Sequence, residues 1–244
     1  MMQQRFSRTA LLLGADALET LAQAHVAVFG LGGVGGYAAE ALARSGVGSL
    51  TLVDHDAVSP TNVNRQIVAL ESTIGQGKAA VMADRVRDIN PACRVEALRC
   101  FYLPDTADEI DLARFDYVVD AVDTVTAKLL LAQRAQETAT PIISSMGTAN
   151  KLDPTLLKVG DIGETSICPL AKIIRKECRK RGIRDLQVLW SDEQPLEVEG
   201  KRDAIDEHGF VREGHSILGT MSYFPPIMGQ MIAGYVIRQL AELG

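Results

Sequence analysis

Gly30-Leu31-Gly32-Gly33-Val34-Gly35 follows the apolar run HVAVF, which begins at His25, and leads into AAEALAR. Glycines at such a junction let the backbone come close to a phosphate, and a helix opening there supplies free N–H groups and positive potential. Asp54 ends the next apolar run, SLTLV, where a carboxylate accepts hydrogen bonds from ribose hydroxyls. To this point the pattern describes a nucleotide site and does not choose between NAD and ATP. Asn62, Asn64, Arg65 and Gln66 come next, then Lys78 at the head of a helical segment, then Asp120 and Asp123 at the end of another apolar run. A dinucleotide site has no need of these residues. Phosphoryl or nucleotidyl transfer does need two cations and a metal-binding carboxylate, because charge must be neutralised on a triphosphate and on the departing pyrophosphate. Any one of them reads equally well as a surface charge, so their shared order carries the argument.

These side chains must be held at strand ends, and the intervening sequence supplies the strands. HVAVF, SLTLV, RVEALRC, YVVDAVD and PIISSM read as strands; AAEALARSG, KAAVMADRVRDIN and TAKLLLAQRAQET between them read as helices. The alternation predicts an α/β, Rossmann-like fold: a mostly parallel sheet with helices on both faces and ligands at the carboxyl ends of the strands. Beyond Asn150 the alternation weakens. LDPTLLKVG reads as extended, CPLAKIIRKECRKRG as a basic helix and LQVLWSD as one more strand. Asp192 to His215 reads as a mobile loop and Ile227 to Leu240 as a buried C-terminal helix. Residues 1–150 are therefore expected to form the nucleotide-binding domain and residues 151–244 an appended C-terminal region.

The chain's 244 residues suffice for one large α/β domain without a disulfide scaffold, and 47% hydrophobic with 23% charged residues is ordinary globular composition. A formal charge of −6 argues against a generic polyanion binder. Against that background Lys172, Arg175, Lys176, Arg179, Lys180, Arg181 and Arg184 crowd one segment with Glu177 as the sole acid, so it carries +6 and the remainder −12. Such a helix is either a solvated face or a surface for a nucleic-acid backbone. Cys93, Cys100, Cys168 and Cys178 form no Cys-x-x-Cys pair, so no zinc is expected. With no export signal, the protein is expected in the cytoplasm with its thiols reduced. The apolar stretch from His215 to Ile237 is interrupted by Pro225, Pro226, Gly229, Gln230 and Gly234, so stable membrane insertion is not expected.

RFSR, GLGGVG, LVDHD, NVNRQ, GQGK and DAVDT occur in one order between about Arg5 and Ser145, and together they resemble the ubiquitin-activating-type adenylyltransferase family. The resemblance implies an ATP-binding adenylation domain over residues 1–150 that works with Mg2+. In it Gly30, Gly32, Gly33 and Gly35 would lie against the phosphates, with Asp54 as ribose ligand and Asp56 beside it. Asn62, Arg65 and Lys78 would contact phosphate, accompanied by Asn64, Gln66 and Thr124, and Asp123 would bind magnesium with Asp120 nearby. Arg8 resembles an arginine that such proteins insert into the partner subunit's site, which implies a homodimer. Carrier-protein adenylyltransferases commonly hold zinc with two Cys-x-x-Cys pairs, absent from this chain. The segment DIGETSICPLAKIIRKECRKRGI, followed by LQVLWSDE, is instead similar to the tRNA threonylcarbamoyladenosine dehydratase branch. That branch implies ATP-dependent cyclisation of threonylcarbamoyladenosine in tRNA through an acyl-adenylate. tRNA would then be the partner of the basic segment. The resemblance also leaves room for a structural monovalent cation and for a cysteine desulfurase or sulfur-transfer protein.

Four other readings compete. An adenylyltransferase for the C-terminus of a ubiquitin-like sulfur carrier shares the ATP motifs, an NAD-linked oxidoreductase shares only the glycine-rich turn, and a nucleotide-binding scaffold predicts no turnover. A thioester step at Cys168 or Cys178 is a further possibility, although intramolecular cyclisation needs no enzyme nucleophile.

Overall fold

The computed structural model describes residues 4–198, 204–205, 211–212 and 218–243. Its centre is a seven-stranded sheet built from β1 (His25–Phe29), β2 (Ser49–Val53), β3 (Arg94–Leu98), β4 (Tyr117–Asp120), β5 (Ile142–Ser145), β6 (Leu157–Asp161) and β7 (Gln187–Ser191). The strand order is β3-β2-β1-β4-β5-β7-β6, parallel throughout except for β6, which runs antiparallel to β7. Parallel strands are covered on both faces, which is why β2 reads as a continuous buried run. Alternate side chains of β1 divide between two cores. Val26 and Val28 pack in one with Leu42, Met82 and Ile232; Ala27 and Phe29 pack in the other with Leu131 and Ala135.

Helices α1 (Ser7–Leu13) and α2 (Ala15–Gln23) precede β1. α3 (Gly35–Arg44), α4 (Lys78–Ile89) and α7 (Phe224–Leu240) contribute to the first core, whereas α5 (Val125–Thr138) and α6 (Pro169–Arg181) cover the opposite face. α3 and α7 pack closely because their contact is made of small residues: a Cβ at Gly229 would lie 2.3 Å from the Val34 carbonyl oxygen. The expected C-terminal helix starts three residues earlier than its apolar period suggests. Pro225 and Pro226 sit in its first turn, where missing N–H groups cost nothing, and do not break it. No described helix is long and apolar enough to cross a membrane.

The region after Asn150 is appended to the sheet itself. β7 pairs parallel with β5 and β6 closes the edge, so both halves share one set of backbone hydrogen bonds. Of the loop expected over Asp192–His215, residues 192–198 are described, together with a two-residue antiparallel ladder between β8 (Ala204–Ile205) and β9 (Val211–Arg212). The rest of that segment, like His208 and His215, lies outside the described residues.

Candidate nucleotide site and its charged lining

The strand order reverses between β1 and β4, and ligands of doubly wound sheets bind in the crevice this leaves at the carboxyl ends. Gly30 follows β1, Asp54 follows β2, and Asp123 lies three residues beyond β4. Two glycines in the turn are dictated by geometry. Gly30 has φ +84°, and a Cβ at Gly35 would lie 1.8 Å from the Gly30 carbonyl oxygen, so only glycine lets α3 start this close to β1. The Asp54 carboxylate ties the turn to β2: its Oδ2 accepts from the Leu31 N–H at 2.6 Å and its Oδ1 from the Asp56 N–H at 2.9 Å.

A cavity of about 360 Å3 opens above this turn, lined by Gly30, Gly32, Asp54, Asp56, Arg65, Gln66, Lys78, Asp123 and Thr124 among others. Lys78, the first residue of α4, is almost fully buried and donates to Asp56 Oδ2 at 2.9 Å; His55 Nε2 lies 2.9 Å from the other oxygen of the same carboxylate. Arg65 lies alongside, its guanidinium held by the Thr61 carbonyl and by Asn64 Oδ1, both at 2.9 Å. The Asn64 amide in turn donates to the Thr220 carbonyl. A larger open cleft of about 670 Å3, lined by Asp116, Gln136, Arg184 and Tyr235 among others, includes none of these residues.

Asp123 faces the cavity and keeps open surface there. Protein packed around its other sides strips water from the carboxyl and pushes its pKa above the usual carboxylate range, while Lys128, Lys78 and Arg65 pull it down. Among the described residues no hydrogen-bond donor engages this carboxylate. A desolvated carboxylate, open toward a site for a polyphosphate, suits Mg2+, which binds through one or two carboxylates and completes its shell with phosphate and water. Asp54, His55 and Asp56 also bring ligand atoms within 4.8 Å of one another, but Asp54 is committed to backbone N–H groups and Asp56 to the Lys78 ammonium.

Asp120 is not available as a second metal ligand. It is fully buried, its Oδ1 accepts from the Val122 N–H and Lys128 Nζ, and its Oδ2 accepts from Lys128 Nζ and the Ser144 hydroxyl. With those contacts the carboxylate is saturated and lines neither the nucleotide cavity nor the one behind it. Asn62 is likewise fully buried and lines neither cavity. Its Oδ1 accepts from the Ser59 N–H and caps the turn Pro60–Asn62, so it shapes the loop that carries Arg65.

Lys128, which no sequence motif singles out, is the counter-charge of Asp120 and lines a smaller cavity of about 90 Å3 behind the first. Its one sequence signal is a lone lysine on the otherwise apolar stretch AKLLLA. Phe101 and Tyr102 escape sequence reasoning because they follow β3 without any period. Both line the larger cavity, with Phe101 edge-on to His55 at 4.0 Å between ring centroids. Arg8 stands exposed on α1 and lines neither cavity. On α6, Lys172, Lys176, Arg179, Lys180 and Arg181 are exposed, as is Arg184 just beyond it. Lys180 pairs with Glu177 at 2.6 Å. Arg175 differs from the expectation, for its guanidinium donates to the carbonyl and hydroxyl of Thr165 and is spent on holding the entry to α6. Cys168 and Cys178 are buried, and burial pushes the Cys178 thiol up to about 11, which makes it a poor nucleophile.

Fold and cavity together define a Rossmann-like nucleotide-binding protein whose lining is built for chemistry on phosphate. The chain belongs to the ThiF family, whose model matches residues 6–244. It is 43% identical over 244 residues to the tRNA threonylcarbamoyladenosine dehydratase of Bacillus subtilis, covering 99% of this chain and 96% of that one. It is 44% identical over 177 residues to the Escherichia coli protein of the same name, covering 72% and 66%. The crystal structure of that E. coli enzyme in complex with ATP superposes with a TM-score of 0.86 at 33% identity, covering 99% of this chain and 97% of that one.

Proposed function

We infer that this protein is an ATP-dependent dehydratase that cyclises threonylcarbamoyladenosine in tRNA through an acyl-adenylate. The observation that carries the reading is the convergence of Arg65, Lys78 and Asp123 on one cavity at the switch point of the sheet. Full-length kinship to dehydratases of that name supports it. Asp54 and the glycine-rich turn hold the nucleotide, and the cavity wall of Phe101 and Tyr102 shields it from water. Arg65 and Lys78 stabilise charge as a substrate carboxylate oxygen attacks the α-phosphorus and the bond to pyrophosphate breaks. Mg2+ bound at Asp123 would neutralise phosphate charge and orient the leaving group. The carbamoyl group of the same side chain, held nearby at high effective molarity, then bonds to the acyl carbon, loses a proton and expels AMP. One carboxylate oxygen leaves with AMP, so the net change is a dehydration. Nucleoside mass spectrometry of tRNA incubated with the protein, ATP and Mg2+ tests this: the cyclised nucleoside should accumulate, and its absence alongside unchanged threonylcarbamoyladenosine would reject the reading.

The site is proposed to be completed by a second copy of the chain. Arg8 is exposed and makes no ion pair among the described residues, and beside it on α1 Leu11 and Leu12 are each 86% exposed, an apolar pair suited to being covered. Mixing inactive Arg8→Ala and inactive Lys78→Ala subunits should restore part of the activity, because one site of the heterodimer would be intact. Persistent inactivity after demonstrated subunit exchange would remove Arg8 from the site.

The exposed side of α6 is proposed to meet the tRNA backbone. Reversing Lys172, Lys176 and Arg179 to Glu should weaken tRNA binding and flatten its salt dependence by about 0.7–0.9 for each phosphate no longer neutralised, with ATP affinity unchanged. An unaltered salt slope in the folded triple variant would return α6 to a solvated face.

A further inference from the structure

The smaller cavity has a chemistry of its own. It opens off the nucleotide cavity, sharing Gly32, Arg65, Gln66 and Asp123 with it, and its far wall is Ser145, Gly147 and Leu170. At about 90 Å3 it is a quarter of the size of the nucleotide cavity, and it has room for a small polar group. The walls are close and defined: a Cβ at Gly33 would come within 2.9 Å of Pro225, and one at Gly147 would sit 3.8 Å from Leu170 Cβ.

Leu170 belongs to the first turn of α6, which begins at Pro169. That turn carries no acidic residue, and Cys168 at its head makes no side-chain capping bond, so the positive end of a thirteen-residue helix is left uncompensated at the cavity wall. Gln66, only 7% exposed, lines the same cavity, and its Oε1 has no hydrogen-bond partner. The Arg65 guanidinium and the Lys128 ammonium add positive charge, although the Lys128 donors already serve Asp120 and Ser144.

Resting on the function proposed above, we propose that this cavity is the acceptor subsite. It seats the carboxylate-bearing end of the threonylcarbamoyl side chain between the glycine-rich turn and the N-terminus of α6. A carboxylate there faces a helix N-terminus, Arg65 and Lys128, with the Asp123 carboxylate on the wall shared with the cavity that holds the phosphates. Gln66 Oε1, which can only accept, would meet the hydroxyl or a carbamoyl N–H of the same side chain and not its carboxylate. The placement also unites two surfaces: α6 starts at the acceptor subsite and runs about 20 Å away from it, carrying Lys172, Lys176 and Arg179 along the path a tRNA backbone would take.

Leu170→Glu tests this by placing a competing carboxylate in the cavity, at a helix position where an acid favours folding. With a melting temperature at or near that of wild type, Leu170→Glu should raise KM for tRNA at least about tenfold while leaving ATP affinity within about twofold. Leu170→Gln, equal in size and neutral, should stay close to wild type. N-carbamoylthreonine should inhibit the wild-type enzyme competitively with tRNA and not with ATP, whereas its carboxamide should not inhibit. That measurement decides the matter even if the Glu variant does not fold. Equal impairment by Glu and Gln, a parallel loss of ATP affinity, an unchanged KM in folded Leu170→Glu, or inhibition that competes with ATP would each overturn the assignment. Wild-type protein that forms no cyclised nucleoside would overturn the functional reading itself, a separate outcome visible before any variant is compared.

Discussion

Asp123→Ala is expected to form AMP about 10²–10³ times more slowly than wild type, the scale of losing one preorganised electrostatic group. Three carboxylates line the nucleotide cavity, but the oxygens of Asp54 accept backbone N–H groups and those of Asp56 meet Lys78 and His55. Asp123 alone among them is left to take a cation, and its raised pKa reflects how costly its charge is without one. Asn at the same position keeps shape and loses charge, so Asp123→Asn should be impaired to a similar degree, and excess Mg2+ should not restore it. Arg65→Ala and Lys78→Ala should each lose a comparable factor, since both handle charge that grows as pyrophosphate departs. The measurement is AMP release in single turnover at saturating ATP. Wild-type rates from the Asp123 variants would remove this residue from the chemistry.

Lys128→Met is expected to cost about 3–5 kcal/mol of folding stability, because it strands the Asp120 carboxylate without its counter-charge. Both partners are nearly inaccessible, 2% and 0% exposed by side chain, and Ser144 and the Val122 N–H cannot replace the lost positive charge. Against a typical total of about 5–15 kcal/mol, that is a large fraction. Replacing both partners, as Asp120→Leu with Lys128→Met, should recover much of the loss, since a well-packed apolar pair often stands in for a buried ion pair. Denaturant midpoints of the wild type, the two single variants and the double variant form the cycle that tests it. A single Lys128→Met variant as stable as wild type would show that the pair does not hold the β4–α5 junction together.

Residues tied to the ends of regular elements are legible in the sequence. Gly30 and Asp54 fall where strand periods stop and Lys78 where a helix period starts, and the fold places them on one cavity. Asp120 shares that signal and has a different role. Its position at the end of β4 resembles that of a ligand, but what decides its role is Lys128, one turn into α5 and facing back toward the sheet. No sequence period reports a contact made across a strand-to-helix turn. Arg175 reads as part of the basic face for a similar reason: helical spacing locates a side chain on its own helix and is silent about Thr165 in the preceding loop. The antiparallel β6 is legible only as an extended segment, because its edge position depends on pairing with β7, thirty residues later in the chain. Pro225 and Pro226 read as interruptions of an apolar stretch, whereas a proline in the first helical turn marks a start.

If a substrate carboxylate attacks the α-phosphorus of ATP and ring closure then expels AMP, one carboxylate oxygen must end in the AMP phosphate. That oxygen is the tracer. tRNA bearing threonylcarbamoyladenosine labelled with oxygen-18 in its carboxylate should, with the protein, ATP and Mg2+, yield cyclised nucleoside and AMP carrying one labelled oxygen in its phosphate. Unlabelled AMP, or cyclised nucleoside formed with ADP in place of AMP, would contradict the mechanism.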